Sequence, residues 1–306
     1  MSGGDAPAEC VVNISEGRDV GIIDQLRQAG GPAVLDVHTD PEHHRTVLTL
    51  GGPLPAVEAA ARRVVATAVA RLDLRGHTGV HPRLGVADVI PFVPLPSPAG
   101  RHSTDPPPSR GSRNGAVRPD VIDARNSFAL WAGTELGVPC FLYGPERTLP
   151  DIRRLAFHPL RPDTGPPEPH PTAGASAVGA RDVLVAYNIW IAGPQADDPG
   201  AGRSEALSVA RRLAGSVRSA AVRSLGLAVG PGAQVSLNLV DPEAVDLARL
   251  YDDVAAGAGS SGCRVLRAEL VGLVPAAVRN AVPRARWRQL DLDGDRTIEG
   301  RLAATW

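Results

Sequence analysis

The chain has 306 residues, 43% hydrophobic and 4% aromatic, with 32 basic against 33 acidic side chains and no lysine. Balanced charge and few aromatics exclude a surface that tracks nucleic-acid phosphates or stacks bases, and the missing lysine excludes Schiff-base chemistry on an enzyme amine. No run approaches about 18 apolar residues and the amino terminus MSGGDAPAEC lacks an apolar leader, so neither a membrane span nor a secretory signal is expected.

At roughly 100–200 residues per domain the length suggests two domains. The first apolar run, CVVNI at 10–14, reads as a strand; the polar turn SEGRD follows, then a helix near 19–29. AVLDV (33–37) and RTVLTL (45–50) read as strands. Val57, Ala60, Ala61, Val64, Val65, Ala68 and Leu72 recur at three- and four-residue steps, which places one apolar stripe along a helix over 55–72. Next come the glycine-punctuated GHTGVHPRLG and the run VADVIPFVPL, whose prolines predict an irregular or edge strand. Residues 96–119, rich in Pro, Ser, Gly and Arg, read as a mobile loop. A helix over 120–136 is closed by Gly137 and Pro139, and VPCFLYG is the strand beyond it.

Strand, helix, strand, strand, helix, strand is the split βαβ order of ferredoxin-like domains. After a second proline-rich stretch at 161–174 the order returns: strand 182–191, helix near 203–224, strands 226–230 and 233–240 around a GPGA hairpin turn, helix 242–257 and strand 264–274. The expected fold class is therefore α/β (α+β), two ferredoxin-like βαββαβ subdomains at 9–177 and 178–282 around a central ligand cleft, with 283–306 as a loosely attached extension.

Chemistry concentrates in two segments. HTGVHPRLGVAD (77–88) sets two imidazoles and Arg83 among glycines at a strand entrance, where a loop can hold a side chain at a cleft. DVHTDPEHHRT (36–46) crowds three histidines with carboxylates between two strands. His38, Asp40, His43 and His44 with His77 or His81 invite a metal-dependent hydrolase, although no H-E-x-x-H spacing is present; the plainer alternative is a solvated turn. No G-x-S-x-G elbow, P-loop or G-x-G-x-x-G motif occurs. Cys10, Cys140 and Cys263 have no C-x-x-C spacing and the first two stand in apolar surroundings, which predicts inert thiols in a reducing cytoplasm.

ECVVNISEG, HHRTVLTLGG, HTGVHPRLGVADVIPFVPL, VPCFLYG, RTLPDIR, GARDVLVAYNIWI, AQVSLNLVD and AELVGLVP follow one another in the chain. Together they resemble the formiminotransferase family, the glutamate formimidoyltransferase half of formiminotransferase-cyclodeaminase, from about Glu9 to Pro275. The resemblance implies a one-carbon transferase, usually dimeric, moving a formimidoyl group between N-formimidoylglutamate and tetrahydrofolate as co-substrate. It implies His81, in H-P-R-x-G, as the catalytic acid–base, and Asn13, His38, Arg45 and Arg83 as substrate-binding residues. It places the folate segment at 163–174, with Asp163, Gly165, Pro166 and Gly174, and implies no metal. A separate cyclodeaminase is an implied partner, since no cyclodeaminase sequence follows. The chain departs from the family pattern at His38, His44 and Val80, and in the folate segment at Thr164 and Ala173. A relative serving another amine, and a folate binder without turnover, are the alternatives these departures leave open.

Overall fold

The computed structural model describes residues 6–79, 82–96, 117–194 and 199–306. Val80 and His81 and most of the proline-rich loop expected at 96–119 lie outside the described residues. The chain divides into two compact units, one ending at Asp182 and the next beginning at Val183.

In the first unit, β1 (Pro7–Ile14), α1 (Val20–Gly30), β2 (Val34–Asp40), β3 (Arg45–Pro53), α2 (Leu54–Arg71) and β4 (Ala87–Pro94) form the expected βαββαβ order. α3 (Pro119–Glu135), β5 (Cys140–Tyr143), α4 (Leu149–Leu155) and β6 (Ser176–Ala180) follow, and the sheet order is β2-β3-β1-β4-β6-β5. The first four strands are the ferredoxin-like antiparallel sheet; β6 and β5 extend it in parallel. The α2 stripe behaves as its spacing predicts: Val57, Ala60, Ala61, Val64, Val65 and Ala68 are fully buried against Cys10, Val12, Ile14, Leu48 and Leu50. Each such valine contributes roughly 1.5–3 kcal/mol. Asp19 caps α1 by accepting from the Ile22 N–H, and Gly137, in the left-handed region, follows the end of α3.

Two expectations are corrected here. β4 is an interior strand, paired to both β1 and β6, although it contains Pro91. The β1–β4 register runs from Ala8 opposite Pro94 to Cys10 opposite Phe92 and resumes only at Asn13 opposite Val89. The ladder is thus interrupted where proline has no N–H to give. The division between units also falls at 182–183, not 177–178. Ser176–Ala180 is a buried strand of the first sheet, and a boundary at 177 would split it.

The second unit repeats the pattern with β7 (Val185–Ala192), α5 (Pro199–Ser216), β8 (Val222–Val229), β9 (Gly232–Leu239), α6 (Leu247–Gly259) and β10 (Arg264–Val271), in the order β10-β7-β9-β8. β8 and β9 meet through the predicted hairpin, Val229 opposite Gly232. The tail is no loose extension. After α7 (Ala276–Ala281) the chain brings Leu290 and Leu292, both fully buried, into the second core before α8 (Ile298–Thr305). No described helix is long and apolar enough to cross a membrane.

Candidate active site

The site is built where β1 leaves the first sheet. Ser15 locks this exit to the entrance of β4: its N–H donates to Val86 O and its hydroxyl to Gly85 O, each at 2.8 Å. Gly17 then runs so close to the β2–β3 turn that an added Cβ would stand 2.4 Å from Asp40 O and 2.5 Å from Arg45 N. Only glycine permits this approach.

Glu16, between them, is the anchor. Its Oε1 accepts from the Arg18 N–H at 2.7 Å and the Asp19 N–H at 3.0 Å, and faces His44 Nε2 at 3.1 Å. Burial alone pushes this carboxyl up, but the two backbone donors and the His44 imidazole outweigh it and hold the group below its ordinary 4.5. His44 adopts a left-handed backbone at φ 50°, and its ring stacks on His77 with centroids 4.0 Å apart at 26°. His77 Nε2 is 3.1 Å from His44 O, and the Arg83 guanidinium lies against the same ring. Burial first, then the charges of Arg83 and His44, lowers the His77 pKa. The ring is therefore neutral at neutral pH.

A lowered carboxyl pKa fixes a pH dependence. The folded pKa of Glu16 lies below the unfolded one, so its contribution is present above the unfolded value and is lost as pH falls through the folded value. We expect Glu16→Gln to lower stability by about 1–3 kcal/mol near neutrality, with the gap to wild type closing as pH drops below about 4.5. Melting temperatures of both proteins between pH 7 and 3 measure this; parallel curves would show that Glu16 carries no such charge.

Beside this loop stands an ion-pair group. Asp88, buried on β4, accepts from Arg153 of α4 at 2.6 and 3.3 Å and from the Leu84 N–H at 2.6 Å. Arg45 and Arg83 share the electrostatic surroundings of Asp88 and Arg153. Burial, the larger cause in each, lowers both guanidinium pKa values, and neighbouring arginines lower them further. Asp88, the next cause in each, raises them, so a carboxylate already faces both cations.

Of the sequence-predicted residues, Asn13, His38 and Arg45 share one sheet face, opposite the one on which Leu48 and Leu50 meet α2. Asn13 and His38 both pair with Val47, and Arg45 lies two residues before it. Asn13 Nδ2 donates to Val11 O at 3.0 Å. Gly174 is bridged to Gly85, where an added Cβ would meet Leu84 O at 2.4 Å, so it belongs to the same loop assembly as Arg83. Asp163 and Gly165 do not. Asp163 accepts from the Leu142 N–H on β5 and pairs with Arg147, while Gly165 packs on Gly133 of α3. β2, which carries His38, and β5, on which Asp163 is fastened, are opposite edges of the sheet, five strand spacings or about 24 Å apart. Pro166 is exposed. Val80 and His81 lie outside the description, but the residues framing them do not: an added Cβ at Gly79 would stand 2.7 Å from His43 O and 2.9 Å from His44 Cβ. Among the described residues no group of three or more His, Cys, Asp or Glu is arranged to hold a metal ion; His81, the other histidine of the set suggested with His38, Asp40, His43, His44 and His77, lies outside them.

Sequence reasoning missed Glu16, Asp88 and Arg153. The only local signal for Glu16 is its place before the glycine of SEG at a strand exit; Arg153 has none, since it reaches Asp88 across 65 residues.

The first unit is thus a ferredoxin-like α+β sheet that carries a loop cluster of imidazoles, guanidiniums and carboxylates at one end. Residues 7–181 match the family model described as the formiminotransferase domain, N-terminal subdomain. The chain is 30% identical over 294 residues to the glutamate formimidoyltransferase of Streptococcus pyogenes serotype M1, covering 88% of this chain and 89% of that protein. It is 31% identical over 296 residues to the glutamate formimidoyltransferase of Thermoplasma acidophilum, covering 87% and 88%. It is also 33% identical over 299 residues to the formimidoyltransferase-cyclodeaminase of Gallus gallus, covering 87% of this chain and 50% of that protein. The chain belongs to the formiminotransferase family and is a transferase.

Proposed function

We propose that the chain is a folate-dependent glutamate formimidoyltransferase, moving a formimidoyl group between N-formimidoyl-L-glutamate and tetrahydrofolate with His81 as acid–base. The observation that carries this reading is the end-to-end likeness to two proteins bearing that activity in their names, over 88–89% of their own length.

The chemistry suits an imidazole. A folate amine nitrogen bonds to the amidine carbon, giving a tetrahedral intermediate, and the bond from that carbon to the glutamate nitrogen then breaks. The attacking nitrogen loses one proton and the departing nitrogen gains one, so a group titrating near neutrality can take the first and return it as the second. Arg45 and Arg83, both desolvated, hold a substrate carboxylate, and Asn13 and His38 add polar contacts from the shared sheet face. Asp163, Gly165 and Gly174 act by shaping the backbone that receives the co-substrate, with Pro166 exposed at the loop. Because these positions run from the β5 edge to the entrance of β4, they fit an elongated molecule such as tetrahydrofolate better than a compact one.

A homodimer in the cytoplasm completes the reading, with a separate cyclodeaminase consuming the product, as the fused relatives suggest. A second reading, transfer from another amine, draws on the imidazoles at His38 and His44. The decisive experiment mixes purified protein with N-formimidoyl-L-glutamate and tetrahydrofolate and follows the absorbance of the folate product. Turnover is expected. Folate binding without turnover would instead leave a non-catalytic binder, and turnover only with a different formimidoyl donor would favour the second reading.

A further inference from the structure

We propose that His170 is a positioning residue for the segment 77–83: its Nδ1 holds the turn at 170–174, and the carbonyls of that turn fasten the chain on both sides of the segment. The inference rests on the reading of His81 as acid–base and Arg83 as a carboxylate clamp. The turn is closed at its base by a double bridge, His170 N–H to Gly174 O at 2.8 Å and Gly174 N–H to His170 O at 2.9 Å, with Gly174 in the left-handed region at φ 71°. Inside it, the Thr172 and Ala173 N–H groups point at His170 Nδ1 from 3.3 and 3.0 Å, and the Thr172 hydroxyl faces the same atom at 3.4 Å. Backbone N–H groups can only donate, so Nδ1 is the acceptor and the ring proton stands on Nε2.

The outer side of the turn carries the clamp. The peptide that joins Thr172 to Ala173 gives its N–H to the imidazole and takes the Leu74 N–H on its carbonyl at 2.8 Å. A peptide plane turns as a unit, so the ring that orients the N–H also orients the carbonyl. The next carbonyl, Ala173 O, takes the Val86 N–H at 2.9 Å, and the Ala175 N–H donates to Leu84 O at 3.0 Å. Leu74 stands three residues before His77 and Leu84 directly follows Arg83, so one turn grips the entry and the exit of the segment. There is no slack in that grip, since a Cβ added at Gly85 would stand 2.4 Å from Ala173 O. Ala173 is itself buried, and without Nδ1 its N–H would be left without a partner away from water. Asparagine can keep the turn: its Oδ1, bonded to Cγ as Nδ1 is, accepts from the same two N–H groups.

The test has three readouts on the full-length chain. Nitrogen-15 spectra of histidine-labelled protein at about pH 8, where an ordinary imidazole is neutral, should show His170, assigned by its loss in His170→Asn, with Nδ1 unprotonated and Nε2 protonated. An Nδ1–H tautomer overturns the inference. Amide hydrogen exchange at Leu74 and Val86 should quicken about 10-fold in His170→Ala, the scale of one lost hydrogen bond, and return to within about twofold of wild type in His170→Asn, while α2 exchanges as before. In steady-state assays well below the melting temperature, kcat/KM for formimidoyl transfer should fall about 10-fold in His170→Ala and recover in His170→Asn. A turn that only adds stability would leave kcat/KM unchanged at that temperature, and that result, or an Asn variant as impaired as the Ala one, overturns the inference. Failure of the transferase reading itself looks different: wild type would not turn over, while the tautomer and the exchange rates would still decide whether His170 holds the segment.

Discussion

Replacing His81 by alanine is expected to lower kcat for formimidoyl transfer by roughly 10²–10⁴-fold, with the melting transition unchanged. The expectation comes from counting protons. The amidine carbon gains a bond to the folate nitrogen and loses its bond to the glutamate nitrogen, and the two nitrogens end neutral only if the first gives up a proton and the second takes one. Water can do neither in step with bond formation at the rate a placed imidazole can. His77 is already engaged with His44 O and the Arg83 guanidinium, and His44 with Glu16, so neither ring is left open for the transfer. His81→Ala therefore separates proton transfer from binding. KM for both substrates should move by less than about threefold, since a group acting only in the transition state leaves ground-state binding intact. Turnover within about fivefold of wild type would move the acid–base role to another residue. A lower melting temperature would instead indicate a structural histidine.

That the segment HTGVHPRLG could be singled out from sequence, while Glu16, Asp88 and Arg153 could not, reflects the range over which each signal acts. The α2 stripe is visible because a 3.6-residue period repeats seven apolar positions within one helix. The βαββαβ order is visible because each element is longer than its turn. β6 is not: SAVGA has no β-branched alternation to mark it and owes its strand character to partners on β4 and β5. Pro91 misleads for the opposite reason, since the rule against proline in central strands assumes a continuous ladder, and here the ladder is interrupted at that position. In the site, HTGVHPRLG announces itself by composition, and Asn13, His38 and Arg45 fall on one face through the period of two along paired strands. Glu16 and Asp88 each accept from backbone N–H groups nearby, but the contacts that bring Glu16 to His44 and Asp88 to Arg153 span 28 and 65 residues, and no local pattern encodes such a separation.

Removing residues 283–306 should unfold the second unit, although composition reads that tail as a solvated extension of arginines and carboxylates. Its apolar residues are few but fully committed. Leu290 and Leu292 are completely buried, so deletion strips two large side chains from the core that holds Tyr187, Ile189 and Leu270, and removes the buried Ile298, 3% exposed, as well. The losses are not only apolar. The Tyr187 hydroxyl donates to Leu290 O at 2.7 Å inside the core, the Leu270 N–H donates to Asp291 Oδ2 at 2.8 Å, and Val274 donates to Arg296 O at 3.0 Å and accepts from the Ile298 N–H at 3.1 Å. Without the tail the Tyr187 hydroxyl becomes a buried donor with its acceptor gone, a state costing about 1–3 kcal/mol by itself. Each leucine adds about 2–5 kcal/mol on truncation to alanine. Together these come to about 5–13 kcal/mol, comparable with the 5–15 kcal/mol that holds a typical domain folded. Leu290→Ala alone should therefore lower stability by about 2–5 kcal/mol in denaturant titration, and the deletion should abolish the cooperative transition of the second unit. A deletion variant that melts like wild type would mean that the tail packs on a core already complete without it.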